Sequence, residues 1–393
     1  MDSITITSET QQMKTNFGKG LLAFTEGKYE QAFTFFENSH RENIPPDKHL
    51  TLYNMGLSLI FLDDLVLAED YFLKALRYLP NHSDSLHWIA YTNFRKGQLS
   101  TAQDHYINSL KSYPRSHTSI NGCIHFFIEQ GLKGEEINVF LNKNGVQLKE
   151  DENFYLKLAD PVNVSIDSKI KFPLLGIDPR STMQKSINNY GCYEPLMVKK
   201  ILKNVQETDI VYDIGAHIGY YSSIFNNVTK SKEVISLEPD FYSSNLIKRN
   251  TGQRGVVVNK YIGSQLNRNT TTLNDLSSRL NLEPSVIKMD IEGFEVEAFE
   301  GGWEVIRNLR PQIFLEIHPK FIHKRNPRAF EILVDKLFEL YNIEYARNHW
   351  GQIKGTETFQ NGWEKATPDI LFKVANKIIF NDQKPNAFAI HCF

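Results

Sequence analysis

Over roughly the first 145 positions, apolar residues recur every three to four residues, which predicts a series of amphipathic helices. In GKYEQAFTFFENS (27–39), DLVLAEDYFLKAL (64–76) and GQLSTAQDHYINSL (97–110) the same small and aromatic positions return. Between 150 and 190 the rhythm changes. Apolar and polar residues alternate in NFYLKL and VNVSIDSKI, and prolines stand at 161, 173 and 179, which predicts short strands and loops. From about Ile201 the pattern becomes apolar strand, turn, amphipathic helix. Strands are predicted at 210–214 (IVYDI), 234–238 (VISLE), 256–258 (VVV), 286–290 (VIKMD) and 312–317 (QIFLEI). Helical spacing links Ile218, Tyr221 and Phe225, and again Leu273, Leu276 and Leu280. A helix follows from Phe330 to Leu340, and a closing pair of strands is expected around Tyr345 and Ala346 and at 369–374 (DILFKV).

The first pattern is a repeat. Ala68 and Ala102 stand 34 residues apart, as do Pro80 and Pro114, and Ala32 precedes Ala68 by 36. A 34-residue period with small residues at fixed offsets resembles tetratricopeptide repeats, each a helix–turn–helix unit. Ala32, Ala68 and Ala102 are expected where two helices approach closely, with Phe36, Phe72 and Tyr106 on the same face filling the next layer. Gly56 and Ala90 are the matching small positions on the first helices. A fourth unit, 119–141, keeps only Gly131 at its turn and reads as a cap. The resemblance implies a groove for a protein partner, faced here by Tyr53, Leu57, Ile60, His87, Tyr91 and Phe94.

Strands apolar on both faces, alternating with helices, imply a mostly parallel sheet covered on both sides. Such folds bind ligands at the carboxyl ends of the strands. Asp213, Glu238, Asp290 and Glu316 interrupt the apolar runs at those ends. The expected architecture is an α-helical repeat solenoid over 1–145, a connector over 146–189 and an α/β domain over 190–393.

Composition narrows the function classes. The chain has 393 residues, 44 basic against 46 acidic, and neither part of it carries the basic excess of a nucleic-acid reader. Three cysteines are too few for a disulfide framework or a zinc cluster. The polar opening MDSITITSETQQ has no signal-sequence pattern, and no long apolar run suggests membrane insertion. A cytoplasmic location is the expectation.

The motif VYDIGAHIGYYS (211–222) carries the first chemical signal. Asp213 closes a strand, Gly215 allows a tight turn, and Gly219 opens a helix. This G-x-x-x-G spacing after an acid differs from the dinucleotide pattern. A carboxylate just before the glycines repels phosphate, and suits a cationic ligand without one. S-adenosylmethionine, with its sulfonium and ammonium groups, is such a ligand. Glu238, at the end of the next strand, is placed to accept hydrogen bonds from ribose hydroxyls. A second acidic cluster, VIKMDIEGFEVEAFEGG (286–302), sets Asp290 and Glu292 at a strand end. Glu295 and Glu297 read there as ordinary acids of a helix N-terminus. In RPQIFLEIHP (310–319) Glu316 and His318 alternate on a strand whose neighbour ends in Asp290.

YGCYEP (190–195), VYDIGAHIGYY, SLEPD (236–240), TTLNDL (271–276), IKMDIEGFE and RPQIFLEIHP, in that order, resemble the FkbM family of S-adenosylmethionine-dependent methyltransferases. The resemblance spans roughly 190–320, and D-x-E-G-x-E is its most specific block. It implies a class I, Rossmann-like methyltransferase sheet and O-methylation of hydroxyls, often on sugars of glycans. Carried over, it makes Glu194, Asp213, Gly215, Ala216, His217, Gly219, Tyr220, Glu238 and Pro239 the cofactor site, with Tyr193 close by. Asp290, Glu292 and His318 become the catalytic residues. His217 stands where the family usually has Asn, and Asn274 where it has Asp, with Asp275 next to it as an offset.

Methyl transfer needs alignment of the acceptor with the methyl–sulfur axis, an effect that contributes at best about 7–11 kcal/mol. It also needs a base for the hydroxyl proton, for which Asp290 and His318 are the candidates. A divalent ion held by Asp290 with Glu292 or Glu316 is the alternative to a base, and is not expected. The rival functional readings are a repeat scaffold with an inactive methyltransferase fold, and a methyltransferase acting on protein.

Overall fold

The structure is a computed structural model that describes residues 15–42, 48–229, 233–347, 362–381 and 387–393. The chain divides into two compact units, Met1–Ala159 and Asp160–Phe393. The division falls inside the segment read as a connector. None of the described helices is long and apolar enough to cross a membrane.

The first unit is built of helix pairs: Asn16–Thr25 with Tyr29–Arg41, Lys48–Phe61 with Leu65–Tyr78, Ser83–Arg95 with Leu99–Ser112, and His117–Glu129 with Gly134–Lys143. Each pair turns through one residue of positive φ, namely Gly27, Asp63, Gly97 and Gly131. Their spacings are 36, 34 and 34, the period of the repeat itself. Ala32, Ala68 and Ala102 are wholly buried, as are Phe36, Phe72 and Tyr106. The aromatic rings turn back onto the first helix of their own pair. A Cβ added to Gly20 would meet the Phe36 ring at 2.6 Å, and one added to Gly56 would meet Phe72 at 2.6 Å. Gly20 extends the small-residue pattern by one repeat beyond what the sequence reading recognised.

Two of the residues expected to face a groove belong to the packing instead. His87 lies 5.7 Å from the Tyr106 ring and Phe94 lies 5.2 Å from Phe126, centroid to centroid. Burial drives the His87 pKa down to about 3, so its ring is neutral and behaves as an aromatic wedge between helices. The alternating segment NFYLKL also differs from expectation. It lies in a 3-10 helix, Glu150–Ala159, whose start is capped by Glu152 accepting from the Lys149 N–H at 3.0 Å. Its apolar side chains Leu156 and Leu158 are buried along that helix, not along a strand.

The second unit opens with an antiparallel hairpin of β1 (Val162–Ser165) and β2 (Lys171–Leu174). The strands that follow are β3 (Val211–Ile214), β4 (Val234–Leu237), β5 (Val256–Val258), the short parallel pair β6 (Tyr261–Ile262) and β7 (Thr270–Thr271), β8 (Val286–Met289), β9 (Gln312–Ile317), β10 (Ile343–Ala346), β11 (Glu364–Lys365) and β12 (Phe388–Cys392). Among the described residues the main sheet has the order β11-β10-β12-β9-β8-β3-β4-β5. Its strands β9, β8, β3, β4 and β5 run parallel, and β12 is inserted antiparallel between β9 and β10. This is the Rossmann-like methyltransferase sheet that the sequence resemblance implies. β3, β4 and β8 are buried along their whole length, as strands covered on both faces must be.

Of the expected closing pair, Tyr345 and Ala346 lie in strand β10, and only the second strand is misplaced. DILFKV lies inside the helix Pro368–Asn381, where Leu371, Val374, Ala375 and Ile378 are buried at helical spacing. The strand between β10 and β9 is the later run FAIHC.

The close seat of Phe72 against Gly56 yields a stability test. Gly56→Val forces the ring out of place, and overpacking of this kind costs about 1–3 kcal/mol. The denaturation midpoint of the variant is expected to fall accordingly, and an unchanged midpoint would contradict the packing.

Candidate active site

Strand alternation assembles the site before any side chain is considered. Asp213 pairs in register with Ser236 on β4 and with Lys288 on β8, and Lys288 pairs with Phe314 on β9. Side chains of period two therefore put Asp213, Ser236, Lys288, Phe314 and Glu316 on one face. Continued past the strand ends, the same alternation adds Glu238, Asp290 and His318. The opposite face carries Tyr212, Ile214, Ile235, Leu237, Ile287, Met289, Ile313 and Leu315, all in one apolar core. The order of strands reverses at β3 and β8, so their carboxyl ends form the crevice where doubly wound sheets bind ligands.

The loop after β3 has little freedom. Gly215 has φ +77°, and a Cβ there would stand 1.8 Å from the Asp290 carbonyl oxygen. Gly219, at φ +84°, starts the helix Tyr220–Val228. His217 is also in the left-handed region, at φ +49°. Its side chain is exposed, whereas its backbone N–H donates to Glu238 Oε2 at 2.8 Å. The Asp240 N–H donates to Glu238 Oε1 at 2.9 Å. Burial raises the Glu238 pKa to about 7 against the pull of these two N–H groups. Ala216 is buried and its N–H donates to the Leu237 carbonyl, and the Pro239 carbonyl accepts from Asn259. Asp213 is wholly buried. Its Oδ2 accepts from Ser222 at 2.6 Å, and Ser222 in turn meets Ser236 at 2.7 Å. Burial raises its pKa, against the attraction of Lys288.

Glu194 enters from another element. It sits at φ +49° ahead of the helix Pro195–Asn204, is buried, and accepts from the Tyr221 hydroxyl. The Tyr220 hydroxyl closes the same corner, accepting from the Tyr193 N–H and donating to the Tyr193 carbonyl, both at 2.8 Å.

The catalytic candidates gather round His318, which is 6% exposed. Its Nδ1 lies 2.9 Å from Glu295 Oε1, and its Nε2 lies 3.4 Å from Glu292, 3.8 Å from Glu316 and 3.9 Å from Asp290 Oδ1. Burial works against a charged ring. The Glu295 hydrogen bond and the charges of Asp290 and Glu316 outweigh it and raise the pKa to about 9. His318 is therefore an imidazolium at neutral pH. Asp290 keeps 30% of its side chain exposed, and its Oδ1 has no hydrogen-bond partner. Ligand atoms of Asp290, Glu316 and His318 lie within 4.8 Å of one another.

Glu295 differs from the sequence reading. It is wholly buried, accepts from the Gly293 N–H at 2.9 Å and fixes the His318 ring, so it belongs to the site. Glu297 is a surface acid, paired with Arg325 at 3.1 Å. Asn274 and Asp275 lie apart from the cluster. Asn274 accepts from the Val305 N–H, and Asp275 accepts from the Thr271 hydroxyl. Lys288 was missed. It is 2% exposed, yet its Nζ is 3.6 Å from Asp290 Oδ2 and 4.6 Å from the centroid of the Tyr221 ring. The available signal was a lone lysine in the otherwise apolar run VIKM.

Known proteins add a family to this geometry. Residues 250–341, just under a quarter of the chain, match the model of the methyltransferase FkbM domain, and they include Asp290, Glu292, Glu295, Glu316 and His318. No curated protein matches the chain. Among solved structures, the FkbM methyltransferase of Methylobacillus flagellatus is 14% identical with a TM-score of 0.34, over 77% of this chain and 70% of its own. A precorrin-6y C5,15-methyltransferase from Geobacter metallireducens is 14% identical at TM-score 0.31, over 51% of this chain and 86% of its own. The second TPR domain of human RPAP3, in complex with an HSP70 peptide, is 17% identical at TM-score 0.27, over 30% of this chain and 98% of its own. Residues 250–341 of the second unit thus match a methyltransferase FkbM domain, and helix pairs of tetratricopeptide-like period precede that unit in the chain.

Proposed function

We propose that the chain methylates a hydroxyl group, with S-adenosylmethionine as donor and a sugar of a glycan or glycoconjugate as acceptor. The observation that carries the reading is Asp290: a strand-end residue whose backbone carbonyl abuts Gly215 and whose carboxylate is 30% exposed, with its inner oxygen Oδ1 making no hydrogen bond. S-adenosylmethionine, when bound, supplies a methyl on a sulfonium, from which the acceptor oxygen displaces a neutral thioether. The leaving group needs no acid, so the chain's own tasks are alignment and removal of the hydroxyl proton.

The residues fit the cofactor. The Gly215–Gly219 turn lets the Asp290 carbonyl and Ile247 approach the end of β3 closely, and the buried carboxyls of Asp213 and Glu194 lie nearby. Each Glu238 oxygen receives one backbone N–H and keeps a lone pair for a ribose hydroxyl. Asp290 takes the acceptor proton. His318 is already protonated at neutral pH, so it serves as a fixed positive charge beside Asp290, oriented by Glu295. Glu292, 73% exposed, stands at the rim and meets the acceptor. Lys288 and the His318 imidazolium supply positive charge beside the carboxylates of Asp290 and Glu316. The helical repeats recruit a partner or the acceptor.

Asp290→Asn is expected to lower kcat by at least about 10²-fold, the scale of a lost general base, with S-adenosylmethionine affinity changed only a few-fold. Loss of cofactor binding, seen by isothermal titration, would move Asp290 out of the catalytic role. Labelled S-adenosylmethionine incubated with glycan and protein fractions of the source cell reads the acceptor. Label in protein alone would favour a protein substrate over a sugar.

Glu238 gives a pH signature. Its pKa of about 7 leaves the carboxyl neutral below that pH and charged above it. Only the carboxylate accepts from both ribose hydroxyls, so affinity for S-adenosylmethionine should rise as pH rises through 7. In Glu238→Gln the affinity should be weaker and flat with pH. A wild-type affinity that does not vary across this range would remove Glu238 from the ribose site.

A further inference from the structure

Lys288 is a charge where the strand pattern calls for an apolar residue, and burial alone favours its neutral amine. Its pKa is nonetheless raised. Burial pulls it down, and Asp290, Glu194, Asp213 and Glu316, in that order, more than compensate. These four carboxylates come from separate places: Asp213 from β3, Asp290 from the end of β8, Glu316 from β9, and Glu194 from the turn ahead of the helix Pro195–Asn204. The Tyr221 ring of the helix Tyr220–Val228 lies over the ammonium, its centroid 4.6 Å away.

We infer that Lys288 is a positioning residue of the methyl-transfer site, whose ammonium holds the Asp290 carboxylate in place for the acceptor. This rests on the reading of Asp290 as the base. At 3.6 Å the contact with Oδ2 is longer than a hydrogen bond, so Lys288 lends its charge while leaving the oxygen's lone pairs open. His318, the other cation at Asp290, has its Nδ1 committed to Glu295 and a second carboxylate, Glu292, nearer its Nε2 than Asp290 is. Lys288 has no equivalent demand from solvent. A lysine at this position also explains how Glu194 and Asp213 stay packed under the cofactor loop without expelling one another.

The test reads Asp290 directly and does not depend on the acceptor. The full chain is labelled with aspartate carrying ¹³C in its side-chain carboxyl, and the Asp290 resonance is assigned by its absence in Asp290→Asn. Titration of the wild type, Lys288→Met, Lys288→Gln and Lys288→Arg follows that resonance. Removal of the charge should move its midpoint up by about one to three pH units, the usual effect of losing an opposite charge at this distance. Lys288→Arg should restore most of the wild-type midpoint. Two uncharged variants are carried so that poor folding of one leaves the other to report. An unmoved midpoint in a folded uncharged variant would overturn the inference, as would an arginine variant that shifts as far as methionine. Turnover of Asp290→Asn separates the two levels: substantial activity there defeats the base assignment itself, whatever the titration shows.

Discussion

The constraint on which the second unit rests is the register between β3 and β8. Val211 opposes Val286, and with that alignment Asp213 must lie beside Lys288 and the end of β3 beside Asp290. A slip of one residue would turn every one of these groups into the apolar core and bring Tyr212 and Ile287 into the crevice. The neighbouring registers with β4 and β9 extend the same face to Ser236 and Glu316. The polar face is tolerable because its charges answer one another: carboxylates from three strands and a loop surround one ammonium. Burying any single member alone would cost several kcal/mol.

Much of this was legible in the chain. The parallel strands betray themselves by runs apolar on both faces, and the acids that break them fall at the carboxyl ends because only there can a strand residue meet a ligand. Glu295 was not legible, since an acid in the first turn of a helix has an ordinary explanation that needs no histidine opposite. Lys288 escaped for a related reason: one polar residue in a four-residue strand does not disturb its periodicity. DILFKV was misread because six residues of mixed apolarity fit either period. The burial of its Leu371 and Val374, continued at Ile378, is helical, and FAIHC takes a place beside β10.

In the first unit the period was visible because it is steric. Each repeat needs one position small enough to admit a ring and one ring to fill it, as in Gly56 with Phe72. Asp63 shows how the sequence hides such a rule. It occupies the left-handed turn that Gly27, Gly97 and Gly131 fill in the other pairs, and its carboxylate pairs with Arg95 at 3.0 Å. Aspartate tolerates that backbone better than most residues, so the geometry persists where the glycine does not.

The contact between Gly215 and the Asp290 carbonyl carries a consequence for evolution and for engineering. Two loops that touch backbone to backbone cannot be diversified separately, because any side chain at 215 dislodges the carbonyl of 290. The loop after β3 and the loop after β8 are thereby inherited as one block. Variation is freer at exposed Glu292 and beyond it, where substitutions leave that seam undisturbed.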